Sequence, residues 1–461
     1  MRVTTATLPT IPSHIQRPSY DRAGQAVGIV HFGIGAFHRA HQAVYTDAAM
    51  NAGDADWAIT GVSLRSATVA DQMNPQDGLY TVAARSGEGV ATRVIGAVQR
   101  VLVASAEPDA VIAAVAQPST RIVLFTITEK GYCRGSDGSL DPARANDASV
   151  YRFLKDGLAL RCAQGLPGVT LLSCDNLAHN GAQLRSLLRQ YLAPHDAVLC
   201  DWVEAECTFP SSMVDRIVPA TTLADLDAAQ AVLGGLRDQA HVVSEPFSQW
   251  VIEDCFANGR PRWEAFGAEL VADVAPYETA KLRMLNGAHS ALAYSGLQCG
   301  YEYVHEAVAD PDLRTMVEML MRDEAAPTID CAPGQNLAIY AERLIARFAN
   351  PALNHRLIQI AMDGSQKIPQ RWLETLAWHQ AQGRQCPAIL RALSAWIWHL
   401  AGGNSERYGP VDDPLASALR FYCDGASFAK IGAMFGSGGP MESAWCPSSA
   451  ELEIIAGGTK S

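Results

Sequence analysis

The chain has no cluster of lysine and arginine residues along its 461 positions. Its formal net charge is −12 and its sequence pI is near 5.5. Proteins that bind nucleic acids carry a basic surface that attracts phosphate groups. We therefore expect no DNA or RNA partner.

Long apolar runs are also missing: no stretch of about 18 apolar residues occurs, and residues 1–22 contain no apolar segment like that of a secretory signal. The eleven cysteines, from Cys133 to Cys446, form an odd-numbered set without a C-x-x-C pair. Such cysteine usage is typical of reduced thiols rather than of a disulfide framework. We expect a soluble, cytoplasmic protein without a membrane partner.

A zinc site is not indicated by the histidines. The one close pair, His38 and His41, lies beside a glycine turn and has no cysteine at ligand spacing. Packing around the turn is the simpler interpretation of both side chains. We expect no bound metal.

The length predicts two domains, because a single hydrophobic core rarely grows beyond about 250–300 residues. Strand-like and helix-like runs alternate up to residue 272, whereas helical stretches such as Leu337 to Phe348 and Pro387 to Leu400 dominate afterwards. The predicted fold is α/β, with a Rossmann-like N-terminal domain (residues 1–272) followed by a mainly α-helical C-terminal domain (residues 273–461). The last residues, 457–461, are predicted to be a loose tail.

The apolar run Val27 to Phe32 is followed at once by Gly33-Ile34-Gly35-Ala36-Phe37-His38. This order predicts a strand, a glycine turn and a helix, as in the first βα unit of dinucleotide-binding folds, where backbone N–H groups meet a pyrophosphate. His38 replaces the third glycine of G-x-G-x-x-G, so a tight turn without a ligand is the alternative. The place of the turn, at the start of an alternating βα pattern, favours the ligand.

Further strands are predicted at Trp57 to Ser63, Leu79 to Ala84, Thr92 to Val103, Arg121 to Thr126, Val169 to Ser173 and Trp250 to Asp254. The segment Thr208 to Arg216 is predicted to be a polar loop. After Ser63 the chain has Arg65 but no carboxylate of the kind that binds a ribose 2′-hydroxyl. Because Arg65 suits a 2′-phosphate, both NAD and NADP stay open.

Residues 276–289 predict a helix that carries a lysine, an amide and an imidazole. At about 100° per residue, Glu278, Lys281, Asn286 and His289 share an arc of about 140° that also contains leucines. An apolar setting lowers the pKa of a lysine toward that of a useful base. A surface helix with a solvated lysine is the alternative.

Five ordered motifs resemble the long-chain, metal-independent polyol dehydrogenase family, which includes mannitol 2-dehydrogenase and fructuronate reductase. These motifs are Gly33 to His41, Ser173 to Asn176, Phe209 to Arg216, Trp250 to Asp254, and Lys281 with Asn286 and His289. The resemblance extends from Ile29 to about Leu400. It implies a Rossmann-like domain followed by a helical domain, with a nicotinamide cofactor, NAD or alternatively NADP.

The resemblance also implies roles for individual residues. Lys281 is expected to be the general base in alcohol oxidation and the general acid in ketone reduction. Asn176 and Asn286 are expected to hold the reacting oxygen. His289 is expected to position a substrate hydroxyl, and Glu278 is expected to link the lysine to solvent. The expected substrate contacts are Asp215, Lys130, Lys367 and Arg371. The expected cofactor contacts are Ile29, Gly33, Gly35, Ala36, Phe37, His38, Arg39, Ala40, Ser63, Arg65 and Glu129.

Two segments, Thr128 to Cys133 and Gln359 to Arg371, resemble fructuronate reductases more than mannitol 2-dehydrogenases. The leading substrate pair is therefore D-mannonate and D-fructuronate, with a carboxylate that needs cationic partners in the cleft. Mannitol with fructose, arabinitol and sorbitol are the alternatives within the family. A non-catalytic nucleotide sensor and an isomerase or epimerase with bound cofactor are alternatives of other classes. The oligomeric state stays open.

Overall fold

The computed structural model describes residues 1–458 of the chain. The chain divides into two compact units, Met1–Val274 and the residues from Ala275 onward. The boundary expected from the sequence, at residue 272, lies two residues before this division.

The strands of the described chain lie in the first unit. They are β1 (Val27–Phe32), β2 (Ala58–Ser63), β3 (Tyr80–Ser86), β4 (Gly89–Ile95), β5 (Val98–Val103), β6 (Ile122–Phe125), β7 (Thr170–Ser173), β8 (Ser212–Asp215), β9 (Val242–Ser244), β10 (Gln249–Glu253) and β11 (Glu269–Val271). The α-helices of this unit are α1 (Ala36–Ala40), α2 (Gln42–Asn51), α3 (Thr68–Met73), α4 (Pro108–Ala116), α5 (Thr128–Gly131), α6 (Val150–Ala163), α7 (Asn180–Leu192), α8 (Ala197–Glu206) and α9 (Leu223–Val232). Short 3₁₀ helices occupy Leu8–Thr10, Asn74–Gln76 and Trp263–Phe266.

A five-stranded parallel sheet with the order β5-β2-β1-β6-β7 is the centre of the first unit. Successive residues of β1 supply opposite cores: Ile29 packs in one apolar cluster, and Val30 and Phe32 pack in the other. A sheet covered on both faces is the doubly wound arrangement, so the Rossmann-like prediction is confirmed. The strand order reverses between β1 and β6, and ligands of such sheets bind outside the carboxyl ends of the strands at this point.

Two three-stranded sheets complete the first unit, in the orders β11-β10-β8 and β4-β3-β9. The predicted loop at Thr208 to Arg216 is wrong, because its second half forms β8 and pairs antiparallel with β10. The single strand predicted over Thr92 to Val103 is also wrong. The chain turns at Gly96, whose N–H donates to Asp47 and whose carbonyl accepts from Arg22, so β4 and β5 join different sheets.

The second unit is helical, as predicted. Its α-helices are α10 (Ala275–Ala280), α11 (Gly287–Gln298), α12 (Val304–Ala309), α13 (Pro311–Met319), α14 (Leu337–Phe348), α15 (Leu357–Ile360), α16 (Gly364–Ile368), α17 (Glu374–Gln380), α18 (Pro387–Leu400), α19 (Ser405–Tyr408), α20 (Ala416–Cys423), α21 (Phe428–Phe435) and α22 (Ser449–Gly458). Segments of π-helix occupy Lys281–Asn286, Leu320–Ala325 and Pro369–Leu373, and 3₁₀ helices occupy Ala326–Thr328 and Pro351–Leu353.

Helix α11 is apolar on nearly all sides and, apart from the half-buried His289, is buried from Gly287 to Leu297, so it forms the centre of this unit. The predicted loose tail is wrong for residues 457 and 458, which belong to α22; the rest of that tail, residues 459–461, lies outside the described residues. Every helix of the described chain is too short or too polar to cross a bilayer.

Candidate active site

The glycine turn after β1 is shaped by its first glycine. Gly33 has φ +94°, and a side chain at this position would collide with the carbonyl oxygen of Thr126 at the end of β6. The Gly33 N–H donates to the carbonyl of Val62 in β2 at 2.8 Å. The turn therefore packs directly against the ends of both neighbouring strands, which only glycine allows.

The second glycine of the turn, Gly35, borders open space. A side chain at Gly35 would meet no protein atom closer than the Gly33 carbonyl oxygen at 3.9 Å, and Gly35 itself is exposed. Ala36 and Phe37, which begin α1, are half-buried beside this open space. The first N–H groups of a helix have no partner within the helix. The turn thus offers room and donors to a pyrophosphate, so the residues present fit a dinucleotide.

The rest of the motif lies beneath the turn. Ile29, His38, Arg39 and Ala40 are buried. The His38 ring stacks on His31 at 3.5 Å, and burial lowers the pKa of His38 well below its usual range. The Arg39 guanidinium donates to the carbonyls of Ala240 at 2.5 Å and Gly35 at 3.3 Å. These side chains support the turn, and His38, stacked on His31, occupies the position where a third glycine is usual.

The end of β2 carries the residues expected near the adenosine ribose. The Ser63 hydroxyl donates to the Ser66 carbonyl at 2.6 Å. Arg65 is exposed, and within residues 1–458 its guanidinium has no hydrogen bond or ion pair. A cationic group thus stands where NAD-specific folds usually have a carboxylate.

The carboxyl ends of β6 and β7 lie side by side, because these strands pair in parallel. Glu129 and Lys130 lie on the short helix α5 after β6, and both are exposed. Asn176 follows β7 and is also exposed. These three predicted site residues therefore lie along the same edge of the sheet as the glycine turn.

Asp215 ends β8 and is buried. Asn180 connects this strand with β7: its amide donates to the carbonyls of Asp175 at 3.0 Å and Ser212 at 2.7 Å, and its oxygen accepts from the Ser212 N–H at 2.9 Å. Arg216, which follows Asp215, donates from its guanidinium to the carbonyls of Ala40 and Glu245. The motif around Asp215 is thereby tied to helix α1 of the glycine turn.

In the second unit the predicted catalytic helix exists, but it is not a uniform α-helix. A π-helical turn begins at Lys281 and ends at Asn286, between α10 and α11. The wheel of 100° per residue that underlies the predicted arc does not apply across this turn, since π-helical bonding runs from residue i to i+5. The grouping of the four side chains stays a prediction. Glu278 precedes the π turn on α10, and His289 follows it on α11. Single π turns inside α-helices are frequent at functional sites.

Arg283 fixes the outer side of the π turn. Its guanidinium donates to the carbonyl and hydroxyl of Thr328 at 2.9 and 2.8 Å and to Glu374 at 2.9 Å. The π turn is therefore anchored within its own unit through Arg283.

The His289 ring packs against Phe348 at 4.7 Å and meets His355 edge-on at 5.2 Å. Burial, His355 and the guanidinium groups of Arg347 and Arg371 hold the pKa of His289 well below its usual range. His289 is therefore neutral at pH 7, and it can donate one hydrogen bond and accept another.

Two predicted substrate contacts, Lys367 and Arg371, also belong to the second unit, and Arg371 acts on the pKa of His289. Arg371 donates to the Ser290 hydroxyl at 2.6 Å, and burial lowers its pKa to about 10. Lys367 donates to the Met362 carbonyl at 2.5 Å, and burial and Arg371 lower the pKa of Lys367. Both cations are partly withdrawn from solvent.

The predicted site residues thus form two sets. One lies at the carboxyl edge of the parallel sheet, and the other lies on α10, the π turn, α11 and the segment around residues 367–371. Sequence reasoning missed three residues that shape these sets: Asp175, Asn180 and Arg347. The first two lie within or beside a quoted motif, whereas Arg347 carries no signal beyond its place on an amphipathic helix. Among residues 1–458, no group of three histidine, cysteine or carboxylate side chains is arranged to hold a metal ion.

A parallel dinucleotide-binding sheet joined to a helical unit with a lysine, amide and imidazole defines a dehydrogenase of Rossmann type. The chain belongs to the mannitol dehydrogenase family: its residues 27–265 match the mannitol dehydrogenase Rossmann domain, and residues 273–427 match the mannitol dehydrogenase C-terminal domain. It is accordingly an oxidoreductase that acts on CH–OH groups with a nicotinamide dinucleotide.

Several known proteins are similar to the chain over most of its length. The uncharacterized oxidoreductase YdfI of Escherichia coli K12 is 44% identical, with 87% of this chain and 85% of that protein covered. D-mannonate oxidoreductase of the same organism is 40% identical, with 91% and 88% covered. The structure of Pseudomonas fluorescens mannitol 2-dehydrogenase with NAD and D-mannitol has a TM-score of 0.81 and 35% identity, and covers 100% of this chain and 96% of that one.

Proposed function

We propose that the protein transfers a hydride between NAD and the C–O centre of an open-chain sugar acid, with D-mannonate and D-fructuronate as the substrate pair. The observation that carries this proposal is the cationic surrounding of His289. Arg347 and Arg371 both lower the pKa of His289, and the Arg371 guanidinium donates to the hydroxyl of the next residue, Ser290, at 2.6 Å. A substrate carboxylate that leaves water needs such cations to replace its hydration.

Lys281, in its neutral form, takes the proton of the substrate hydroxyl in the oxidative direction. The bound nicotinamide supplies the acceptor for the hydride. The amides of Asn176 and Asn286 donate to the oxygen as negative charge develops on it, a type of stabilisation that is often the largest contribution to catalysis. Neutral His289 binds a neighbouring hydroxyl, and Glu278 passes the proton between the lysine and water. Asp215 orients Lys281 or the substrate.

The proposal of NAD as cofactor is supported by the similar NAD complex and by the room at Gly35. NADP stays an acceptable cofactor, because the end of β2 lacks a carboxylate that would repel its 2′-phosphate. Arg65 gives that phosphate a cationic partner.

D-mannitol with D-fructose is the second candidate pair, and the environment of Lys367 favours it. The Lys367 ammonium already donates to Met362, and Asp363 and Asp413 act on its pKa as opposite charges. A lysine whose charge is offset in this way suits a neutral hydroxyl better than a carboxylate. Arabinitol and sorbitol fall in the same class of substrate.

One panel tests both candidates. The purified protein is assayed with NAD and with NADP against D-mannonate, D-mannitol, D-sorbitol and D-arabinitol, with NADH or NADPH absorbance as the signal. We expect the highest kcat/KM with D-mannonate. A higher kcat/KM with D-mannitol would show that the substrate is a polyol rather than a sugar acid. No net cofactor reduction with any substrate, despite dinucleotide binding, would favour a sensor, or an isomerase that uses bound cofactor.

A further inference from the structure

The carboxylate of Asp175, directly before Asn176, gathers donors from the neighbouring strand end. One oxygen accepts from the Thr128 N–H at 2.9 Å; the other accepts from the Ile127 N–H at 2.9 Å and from the Tyr132 hydroxyl at 2.9 Å. Ile127 and Thr128 are the first residues after Thr126, where β6 leaves the sheet. The carboxylate therefore joins the end of β7 to the turn that follows β6.

The protons of this network have one consistent arrangement. The Tyr132 and Ser173 hydroxyls lie 2.6 Å apart. Since Asp175 accepts the only Tyr132 hydroxyl proton, Ser173 donates to the Tyr132 oxygen. Tyr132 is fully buried, so its proton has no water as an alternative acceptor. The chain of donors runs from Ser173 through Tyr132 to the carboxyl group of Asp175, whose pKa is raised by burial.

The turn held by Asp175 has an unfavourable backbone. Thr128 has φ +63°, a left-handed conformation that β-branched residues rarely adopt. Such conformations persist only where the surroundings determine them, and they occur often at functional sites. The two N–H bonds to Asp175 come from this residue and from the one before it. The strained turn also carries Glu129 and Lys130.

The backbone of Asp175 is fixed as well. Its carbonyl accepts from the Asn180 amide at 3.0 Å, and Asn180 is bonded in turn to both backbone groups of Ser212 in β8. Asn176 therefore follows directly after Asp175, whose side chain and main chain are both held by hydrogen bonds. An amide that must meet a developing charge works best when its position is set beforehand.

We propose that Asp175 is a positioning residue for the hydride-transfer step, which sets Asn176 and the turn after β6 relative to each other. This inference rests on the proposed role of Asn176 as a donor to the reacting oxygen. In this role Asp175 itself touches neither the substrate nor the cofactor. It acts through its neighbour.

Asp175→Asn tests the proposal, because it keeps the size of the side chain and replaces one acceptor oxygen by an NH₂ group that faces a donor. We expect kcat to fall by roughly 10- to 100-fold, the range for a displaced catalytic group, while KM for the substrate stays within about threefold. The matched control is Asp196→Asn in the same unit. Asp196 caps α8 through the Leu199 N–H at 2.9 Å, and an asparagine oxygen accepts that bond nearly as well, so this variant makes the same change in charge and should leave both kcat and the melting temperature unchanged.

A double-mutant cycle with Asn176→Ala separates this inference from the proposed function. If Asp175 acts through Asn176, Asp175→Asn costs less than about threefold in kcat in the Asn176→Ala background, because neighbours in one network are not additive. Full additivity would overturn the inference. An unchanged rate in Asn176→Ala alone would instead overturn the proposed role of Asn176. If Asn176→Ala is slow and Asp175→Asn is fully active, the proposed role of Asp175 is refuted and that of Asn176 is retained.

Tyr132→Phe provides the second variant, should Asp175→Asn not fold. It removes one donor and keeps both N–H bonds, so the fold has less to lose. We expect a several-fold lower kcat at unchanged KM, with the melting temperature well above the assay temperature. An unchanged kcat in this variant would contradict the proposal.

Discussion

Arg371 donates a hydrogen bond to the Ser290 hydroxyl across 2.6 Å, which holds a half-buried arginine against the residue that follows His289. Its charge is one of those that keep the proton off the imidazole. The same guanidinium lowers the pKa of Lys367, four residues earlier. Arg371 thus acts electrostatically on two predicted site residues, His289 and Lys367.

Replacing Lys281 by alanine should lower kcat by about 100-fold or more, because a positioned acid or base contributes about 10²- to 10⁴-fold. Dinucleotide binding, measured by protein fluorescence titration, should be unchanged, since the glycine turn belongs to the other unit. Lys430→Ala is the control, as Lys430 is a half-buried lysine that donates to a backbone carbonyl. Retention of most of the activity in Lys281→Ala would refute the assignment of the base.

Activity should survive exhaustive treatment with EDTA. The proposed chemistry uses a lysine and two amides and needs no Lewis acid, and the histidine pair nearest in sequence, His38 and His41, is buried around the glycine turn. The assay compares treated and untreated protein with the best substrate of the panel. Loss of activity that zinc restores would mean that the role of Lys281 has been mistaken.

Cofactor choice should respond to Arg65. Arg65→Asp should lower kcat/KM for NADP by at least tenfold and change the value for NAD far less, because a carboxylate at the end of β2 repels a 2′-phosphate and accepts a 2′-hydroxyl. Arg100→Asp, an exposed arginine on β5, makes the same change in net charge. Equal losses with both cofactors in Arg65→Asp would place the adenosine ribose elsewhere.

Stability should depend on pH through Glu324 in the second unit. The Glu324 carboxylate is buried and accepts from the N–H groups of Ala388 at 2.7 Å and Ile389 at 2.9 Å, in the first turn of α18. Burial raises its pKa from 4.5 to about 7. Because the folded state holds this proton more tightly than the unfolded chain does, the stabilisation is complete below about pH 4.5 and is lost as the pH rises through about 7.

The difference amounts to an order of 3 kcal/mol, taking about 1.4 kcal/mol for each pKa unit. Glu324→Gln, which cannot ionise, should show a flatter dependence of the free energy of unfolding on pH between 5 and 8, measured by urea denaturation. Glu451→Gln is the comparison, since Glu451 is a buried carboxylate that caps the start of α22 through the Ser448 N–H. Parallel curves for the parent and Glu324→Gln would show that Glu324 does not titrate in this range.

Elements with a strong local pattern were predictable from the sequence. Strand β1 was expected at Val27 to Phe32 and helix α18 at Pro387 to Leu400, and both are confirmed to the residue. An unbroken apolar run before a glycine turn marks the first, and a proline at the first helical position marks the second. The glycine turn itself is confirmed as a strand-to-helix turn.

Elements that depend on distant partners were not predictable. Strand β8 has four residues, and it is a strand because Met213 and Val214 pair with β10, more than thirty positions later. The π-helical turn at Lys281–Asn286 was not predicted for another reason. A wheel of 100° per residue assumes an α-helix throughout, whereas this segment has π-helical bonding.

The final prediction concerns the carboxylate of the substrate. Lys130 is exposed on α5, in the turn that Asp175 fixes, and it differs in this respect from the partly buried Lys367. Lys130→Gln should weaken D-mannonate oxidation far more than any residual D-mannitol oxidation, because only the acid loses a charged partner. The expected loss is about tenfold or more in kcat/KM for mannonate, in keeping with about 1.5–3 kcal/mol for a hydrogen bond to a charged group. Lys155→Gln, at a partly exposed lysine on α6, controls for the change in net charge. Should mannitol be the better substrate of the parent protein, with kcat/KM indifferent to Lys130, the acid is excluded and the protein acts on polyols.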